Sequence, residues 1–156
     1  MLQVFNLRTT DELIACVDMY KKIDIEHDNF INFDKEIALQ KLFISCRSGH
    51  FARIIKEDNK LIAWILASTA TYDFSNELIF KIRMFLSNQS GVKGFKCIEI
   101  LHEEVIDEAK RLKIKRVFTE NNFYNERLVY VKLLEKLGWK RKGYMAYFET
   151  GVESGD

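Results

Sequence analysis

The sequence predicts one mixed α/β domain over residues 1–156, in which an antiparallel hairpin leads into a central β–α–β unit. Three observations carry that prediction. First, HFARIIKE and KLIAWILAST are two β-rich runs joined by Asp58-Asn59, a tight polar turn. Second, the run ELIFKIRMFL, a long amphipathic helical pattern and KRVFTE follow one another as strand, helix and strand. A unit of that kind crosses over right-handed. Third, no internal repeat, low-complexity block or Pro/Gly/Ser linker divides the chain.

The remaining elements follow in order. Val4 to Leu7 reads as a short strand. Thr9 or Thr10 caps the helix after it, and Glu12 stands three residues beyond Thr9, the capping-box spacing. Leu13, Val17 and Tyr20 give that helix its apolar side, and IDIEHDNFIN is polar and irregular. A second helix is expected from about Asp34 to Arg47, with Ala38, Leu39, Leu42, Phe43 and Cys46 on one side and Ser48-Gly49 as its end. After the hairpin, TATYDFSN is a loop. In the long helix Ile98, Leu101, Val105, Ala109 and Leu112 form a regular stripe, opposite acidic and basic residues. Asn125 to Leu137 is a shorter helix ended by Gly138, WKRKGYMAYFET gives one or two closing strands, and GVESGD is a frayed tail.

Composition narrows the functional classes. A chain of 156 residues buries roughly 70% of its unfolded surface and needs no metal or disulfide to fold. Its apolar content of 47% and charged content of 30% are those of an ordinary globule. A formal charge of +1 argues against a strong sequence-independent nucleic-acid binder. Cys16, Cys46 and Cys97 are odd in number, far apart and set in helix-like segments, which suggests buried thiols and no metal site. The opening MLQVFNLRTTDEL lacks a signal pattern, and no run reaches the ~18 apolar residues of a membrane helix. The expected setting is soluble, reducing and cytoplasmic.

The stretch NQSGVKGFKC, Asn88 to Cys97, joins the third strong strand to the long helix. A strand, a glycine loop and a helix N-terminus make an anion site because first-turn N–H groups lack helical partners and the helix dipole is positive there. Gly91 and Gly94 allow close approach, and Lys93 and Lys96 add charge. The same letters also fit a plain turn with solvated lysines. The stretch is neither a P-loop, which needs GKS or GKT, nor a dinucleotide fingerprint, which needs three spaced glycines.

Taken with its context, the chain resembles the GNAT acetyltransferases over essentially its whole length. In that family a loop of pattern Arg/Gln-x-x-Gly-x-Gly/Ala holds the pyrophosphate of acetyl-CoA. Gly91-Val92-Lys93-Gly94-Phe95-Lys96 matches at the central Gly94, with Gly91 and Lys96 at the other two positions. NERLVYVKLLEKLGW resembles the family's asparagine-to-Gly-Phe/Trp ending with a helix two residues longer, and RIIKEDNKLIAWILAS looks like its central hairpin. The resemblance implies a mostly antiparallel sheet flanked by helices, acetyl-CoA as cofactor, and N-acetyl transfer to a primary amine by direct attack in a ternary complex. The acceptor is then a small molecule or peptide, and a homodimer is compatible with the family. It also implies backbone contacts from Met84, Phe85 and Leu86 to the cofactor arm, phosphate contacts from Gly91 through Cys97, and a cofactor contact from Asn125. Asn125 is equally a helix N-cap.

The catalytic groups are where the match departs. The family's tyrosine general acid falls on Leu134 counted from EKLGW and on Lys132 counted from Asn125. Tyr130, one turn before Leu134, and Tyr124 are substitutes, and a packed aromatic is the plainer reading of Tyr130. Glu77 and Glu120, at the two strand ends, are the general-base candidates, beside the plain reading of solvated carboxylates. Among the histidines, His27 lies in the segment the family uses to shape the acceptor site, and His102, in a charged stretch of helix, is expected on the surface. Lys81 and Arg83 alternate on the third strand and suit an acidic acceptor. Two other readings compete. One is a degenerate member that binds CoA or a protein without catalysis. The other is a nucleic-acid or protein-binding module using Lys110, Arg111, Lys113, Lys115 and Arg116 with Lys140, Arg141 and Lys142.

Overall fold

The computed structural model describes residues 1–26, 33–72, 75–120, 127–142 and 145–152. The chain runs β1 (Gln3–Asn6), α1 (Thr10–Glu26), α2 (Lys35–Arg47), β2 (Phe51–Glu57), β3 (Lys60–Thr71), β4 (Leu78–Ser87), α3 (Gly91–Arg111), β5 (Arg116–Glu120), α4 (Arg127–Lys136), β6 (Lys140–Lys142) and β7 (Met145–Glu149). The seven strands form a sheet of order β1-β2-β3-β4-β5-β7-β6. It is mostly antiparallel. Its β4–β5 pair is parallel, in register Phe80↔Val117 to Ile82↔Thr119, with α3 as the crossover between them. The element order and the β–α–β unit are those expected, and the closing segment resolves into the two strands β6 and β7.

The chain divides into two compact units, Met1–Leu66 with Phe85–Cys97, and Ala67–Met84 with Ile98–Asp156. In the first, local chemistry fixes the helix ends. Thr9 Oγ1 accepts from the Glu12 N–H at 3.2 Å, and Glu12 Oε2 accepts from the Thr9 and Arg8 N–H groups at 3.0 Å each. That is the expected capping box. Burial pushes the Glu12 carboxyl up, but the Lys56 ammonium and the two N–H groups outweigh it and hold it at about 2. Asp34 caps α2 through the N–H groups of Glu36 and Ile37, and Gly49, at φ 78°, follows its C-terminal Ser48. Asp58 and Asn59 turn with φ of 49° and 62°, the paired left-handed residues of a type I′ hairpin. Cys16, Val17, Ile54, Ile55 and Ile65 are buried between these elements.

In the second unit Leu101, Val105, Ala109, Val117, Leu134 and Ala146 are fully buried. Gly138, at φ 86°, ends α4. Thr150 pins the end of β7 by donating its N–H to Lys115 C=O and its hydroxyl to Ile114 C=O, both at 2.8 Å.

Four local expectations differ. α1 continues through IDIE to Glu26. On α2 Leu42 is buried while Phe43 is exposed, so its apolar side is narrower than the letters suggest. Leu112 lies past the end of α3 and is exposed. The long helix starts at Gly91, so the stretch read as a loop to Cys97 is largely its first two turns. Among the described residues no helix is long and apolar enough to cross a membrane, and no group of three or more His, Cys, Asp or Glu is placed to hold a metal. Burial pushes all three thiols up, Cys16 and Cys97 being buried and Cys46 half-buried.

Candidate active site

The junction of β4 and α3 is built from short-range backbone constraints. The Asn88 N–H donates to Ile62 C=O at 3.1 Å and the Gln89 N–H to Ser87 Oγ at 3.1 Å, which hold the chain as it leaves the sheet. The Gly94 N–H donates to Ser90 C=O at 3.1 Å, so the helical ladder begins there. Residues 91 to 93 therefore occupy the positions whose N–H groups an α-helix cannot pair. Gly91 takes φ 60°, a conformation glycine adopts without strain. Gly94 is required for space: a Cβ there would fall 2.6 Å from the Gln89 carbonyl oxygen. The first turn thus presents free donors and the positive end of a 21-residue helix.

Lys93 is not aimed outward. Its ammonium is paired with the Glu57 carboxylate at the end of β2. The hydrogen bond to Lys93 holds the Glu57 carboxyl below its usual range. Lys96 and Val92 are exposed, Phe95 is half-buried, and Cys97 is buried beneath the turn. Along β4, Leu86 is buried while Met84 and Phe85 are half-buried, and all three lie beyond the last β4–β5 partners, Ile82↔Thr119.

A second polar cluster lies in the other unit. His102, expected on the surface, is 1% exposed. Its Nδ1 lies 2.7 Å from Ile98 C=O, an acceptor only, so Nδ1 carries the proton. Nε2 is then the acceptor for the Tyr130 hydroxyl at 2.6 Å, and the Thr119 hydroxyl lies 3.4 Å from the same phenol oxygen. The imidazole also meets Trp139 edge-on at 5.5 Å. Burial pushes His102 down to about 4, with the Ile98 carbonyl opposing, and pushes the Tyr130 phenol up. Tyr130 is therefore packed and bonded, its proton directed at a neutral histidine.

The other candidates are scattered. Glu77 accepts from Arg116 Nη1 at 3.1 Å. Glu120 ends β5, and its side chain lies outside the described residues, as do Asn125, Tyr124 and His27. Leu134, at the family's tyrosine position, is fully buried. Arg83 Nε donates to Ser68 Oγ at 2.9 Å.

No protein-family model matches the sequence, and no curated protein is significantly similar to it. Solved structures do match. An acetyltransferase of the GNAT family from Streptococcus pneumoniae superposes with a TM-score of 0.71 at 13% identity, over 97% of this chain and 100% of that one. A predicted acetyltransferase with acetyl-CoA from Clostridium acetobutylicum gives 0.72 at 13% identity, over 92% of each chain. The ribosomal-protein-S18-alanine N-acetyltransferase from Escherichia coli gives 0.66 at 15% identity, over 100% of this chain and 97% of that one. The fold is that of the GNAT acetyltransferases.

Within this GNAT fold, two pairings escaped the sequence. Glu57 and Lys93 are 36 residues apart, and no local pattern joins them. His102 was legible in part: it stands four residues after Ile98 and three before Val105, on the buried stripe. Its partner Tyr130, 28 residues on, was not.

Proposed function

We propose that residues 1–156 form an N-acetyltransferase domain, which moves an acetyl group from acetyl-CoA to a primary amine by direct attack in a ternary complex. The observation that carries this reading is the first turn of α3, where Gly94 lets the helix start against the Gln89 carbonyl with the N–H groups of residues 91 to 93 left for an anion. This turn follows β4 in a fold shared with acetyltransferases, one of them determined with acetyl-CoA. The cofactor supplies the acyl group as a thioester. The chain's residues hold and orient it: residues 91 to 97 at the pyrophosphate, and the backbone of Met84, Phe85 and Leu86 along the arm. Asn125 is proposed as a further contact.

Binding is tested by calorimetry or a thermal shift with acetyl-CoA, which should stabilise the protein. No response at saturating ligand overturns the reading. Thiol release against polyamines, amino acids and peptide N-termini then identifies the acceptor. Peptide N-termini belong in the panel because one structural neighbour is a ribosomal-protein alanine N-acetyltransferase.

One observation favours a second reading, CoA binding without transfer. Tyr130 donates to His102, and Glu77 is paired with Arg116. Tyr130 acts as an acid, and Glu77 as a base, only by giving up those partners; Glu120 is the third candidate. Cofactor binding with no thiol release across the panel selects the second reading.

The Lys93–Glu57 pair gives a further expectation. Glu57→Gln removes a negative charge beside the first turn and releases the Lys93 ammonium. Acetyl-CoA affinity should rise roughly threefold, the size of a charge effect at a helix terminus. The gain should shrink with added salt. Unchanged affinity at low salt would show that Lys93 takes no part in holding the phosphates.

A further inference from the structure

Helix α2 carries apolar residues on two sides, and its own unit covers one of them. On the inner side Leu42 is buried, Leu39 and Cys46 are half-buried, and Lys35 pairs with Asp18 of α1 at 2.6 Å. On the outer side Ile37, Phe43 and Ile44 are 50%, 45% and 54% exposed. Ile37, Gln40, Ile44 and Arg47 stand at i, i+3, i+7 and i+10, one line along the helix, with Phe43 beside it. A surface helix ordinarily turns charged and polar residues outward there. Single exposed apolar side chains are common, but three along one helix face make a patch.

The charges on this face say what fits it. Glu36 lies in the first turn of α2 and Arg47 in the last, and both are exposed on the outer side. The Arg47 guanidinium lies over the Phe43 ring at 5.1 Å, which holds it on that face. The helix is therefore acidic at one end of the patch and basic at the other. A second α2 laid antiparallel brings each acidic end to a basic end and opposes the two helix dipoles. Ile37 and Ile44 stand nearly symmetrically about the middle of the helix, as do Glu36 and Arg47. An antiparallel pair thus matches isoleucine with isoleucine and acid with base at both ends. A parallel pair sets Glu36 against Glu36 and Arg47 against Arg47. The 13-residue helix is about 20 Å long, so the pair buries less than the roughly 800 Å² per partner of a standard interface. The expected association is weak and concentration-dependent.

We infer that the outer face of α2 is a self-association surface, on which a second copy of this chain docks its own α2 antiparallel. Ile37 then packs against the partner's Ile44, and Glu36 pairs with the partner's Arg47. The pairing holds whether or not the chain binds acetyl-CoA. Analytical ultracentrifugation from micromolar to millimolar protein should show a monomer–dimer equilibrium. Ile44→Ser changes an exposed side chain and leaves the core intact; it should weaken the dimer about tenfold, since two copies leave the interface. Glu36→Lys and Arg47→Glu each set like charges together at both ends of the pair. Each should weaken the dimer roughly threefold at low salt. Mixed in equal amounts, these two variants should regain wild-type association, because each copy then faces opposite charge at both ends. A mere loss of helix stability in either variant would not be repaired by mixing. Three results overturn the proposal: a monomer throughout the range, association unchanged in Ile44→Ser, or a mixture no tighter than its separate components.

Discussion

Gly94→Ala should lower acetyl-CoA affinity at least tenfold and destabilise the fold by about 1–3 kcal/mol, the usual cost of forcing a methyl into occupied space. The added Cβ meets the Gln89 carbonyl oxygen at 2.6 Å and its carbon at 3.0 Å. Those atoms are backbone and cannot rotate aside. They are also tethered: the Asn88 N–H holds Ile62 C=O, the Gln89 N–H holds Ser87 Oγ, and Ser90 C=O accepts from Gly94 itself. Relieving the clash therefore breaks the turn that leaves the N–H groups of residues 91 to 93 exposed to an anion. Gly94→Asp adds a negative charge at the same point and should abolish binding. Gly91→Ala is the contrast. Its Cβ meets nothing within 4 Å, but its φ of 60° strains any side chain by roughly 1–2 kcal/mol. Urea unfolding and calorimetry on the three variants give both quantities. Wild-type affinity in Gly94→Ala would remove this turn from the cofactor site.

What could be read in advance was what the chain decides within a few residues. Thr9 and Glu12 form a capping box because their spacing lets each side chain reach the other's N–H. Asp58-Asn59 turns the hairpin because both residues tolerate positive φ. The start of α3 was misjudged because two glycines in four residues look like a loop. Gly94 is helical nonetheless, since the absence of its side chain is what lets the turn sit on Gln89.

The site pairings were illegible for a different reason. Glu57 reaches Lys93, and Arg116 reaches Glu77, only after strands and helices are placed. The stacking of Phe118 on Tyr147 needs the β5–β7 register, because a slip of one residue would turn Tyr147 to the opposite face. Lys81 and Arg83, read as suiting an acidic acceptor, stand on the Phe118 side of the ladder, where Arg83 donates to Ser68.

His102→Ala should cost about 3–5 kcal/mol at pH 7, because it leaves a cavity and strands the Tyr130 hydroxyl without its acceptor. The more discriminating result is the pH dependence. The folded protein holds His102 at about 4, chiefly by burial, whereas an unfolded histidine titrates near 6.5. Between these values the unfolded chain binds the extra proton, so stability rises with pH. His102's contribution is full above about pH 6.5 and is lost as pH falls toward 4, a difference of about 3 kcal/mol. Protonation at Nε2 would also place a donor against the Tyr130 O–H, which loses that acceptor. His102→Gln retains polarity without titrating. The wild-type-minus-variant unfolding free energy, measured in urea at pH 7 and pH 4.5, should therefore shrink toward acid, while other titrating groups such as Glu12 cancel in the difference. A difference flat across that range would mean that His102 titrates alike in the folded and unfolded chains, and that the Tyr130 hydroxyl is not held by a neutral imidazole.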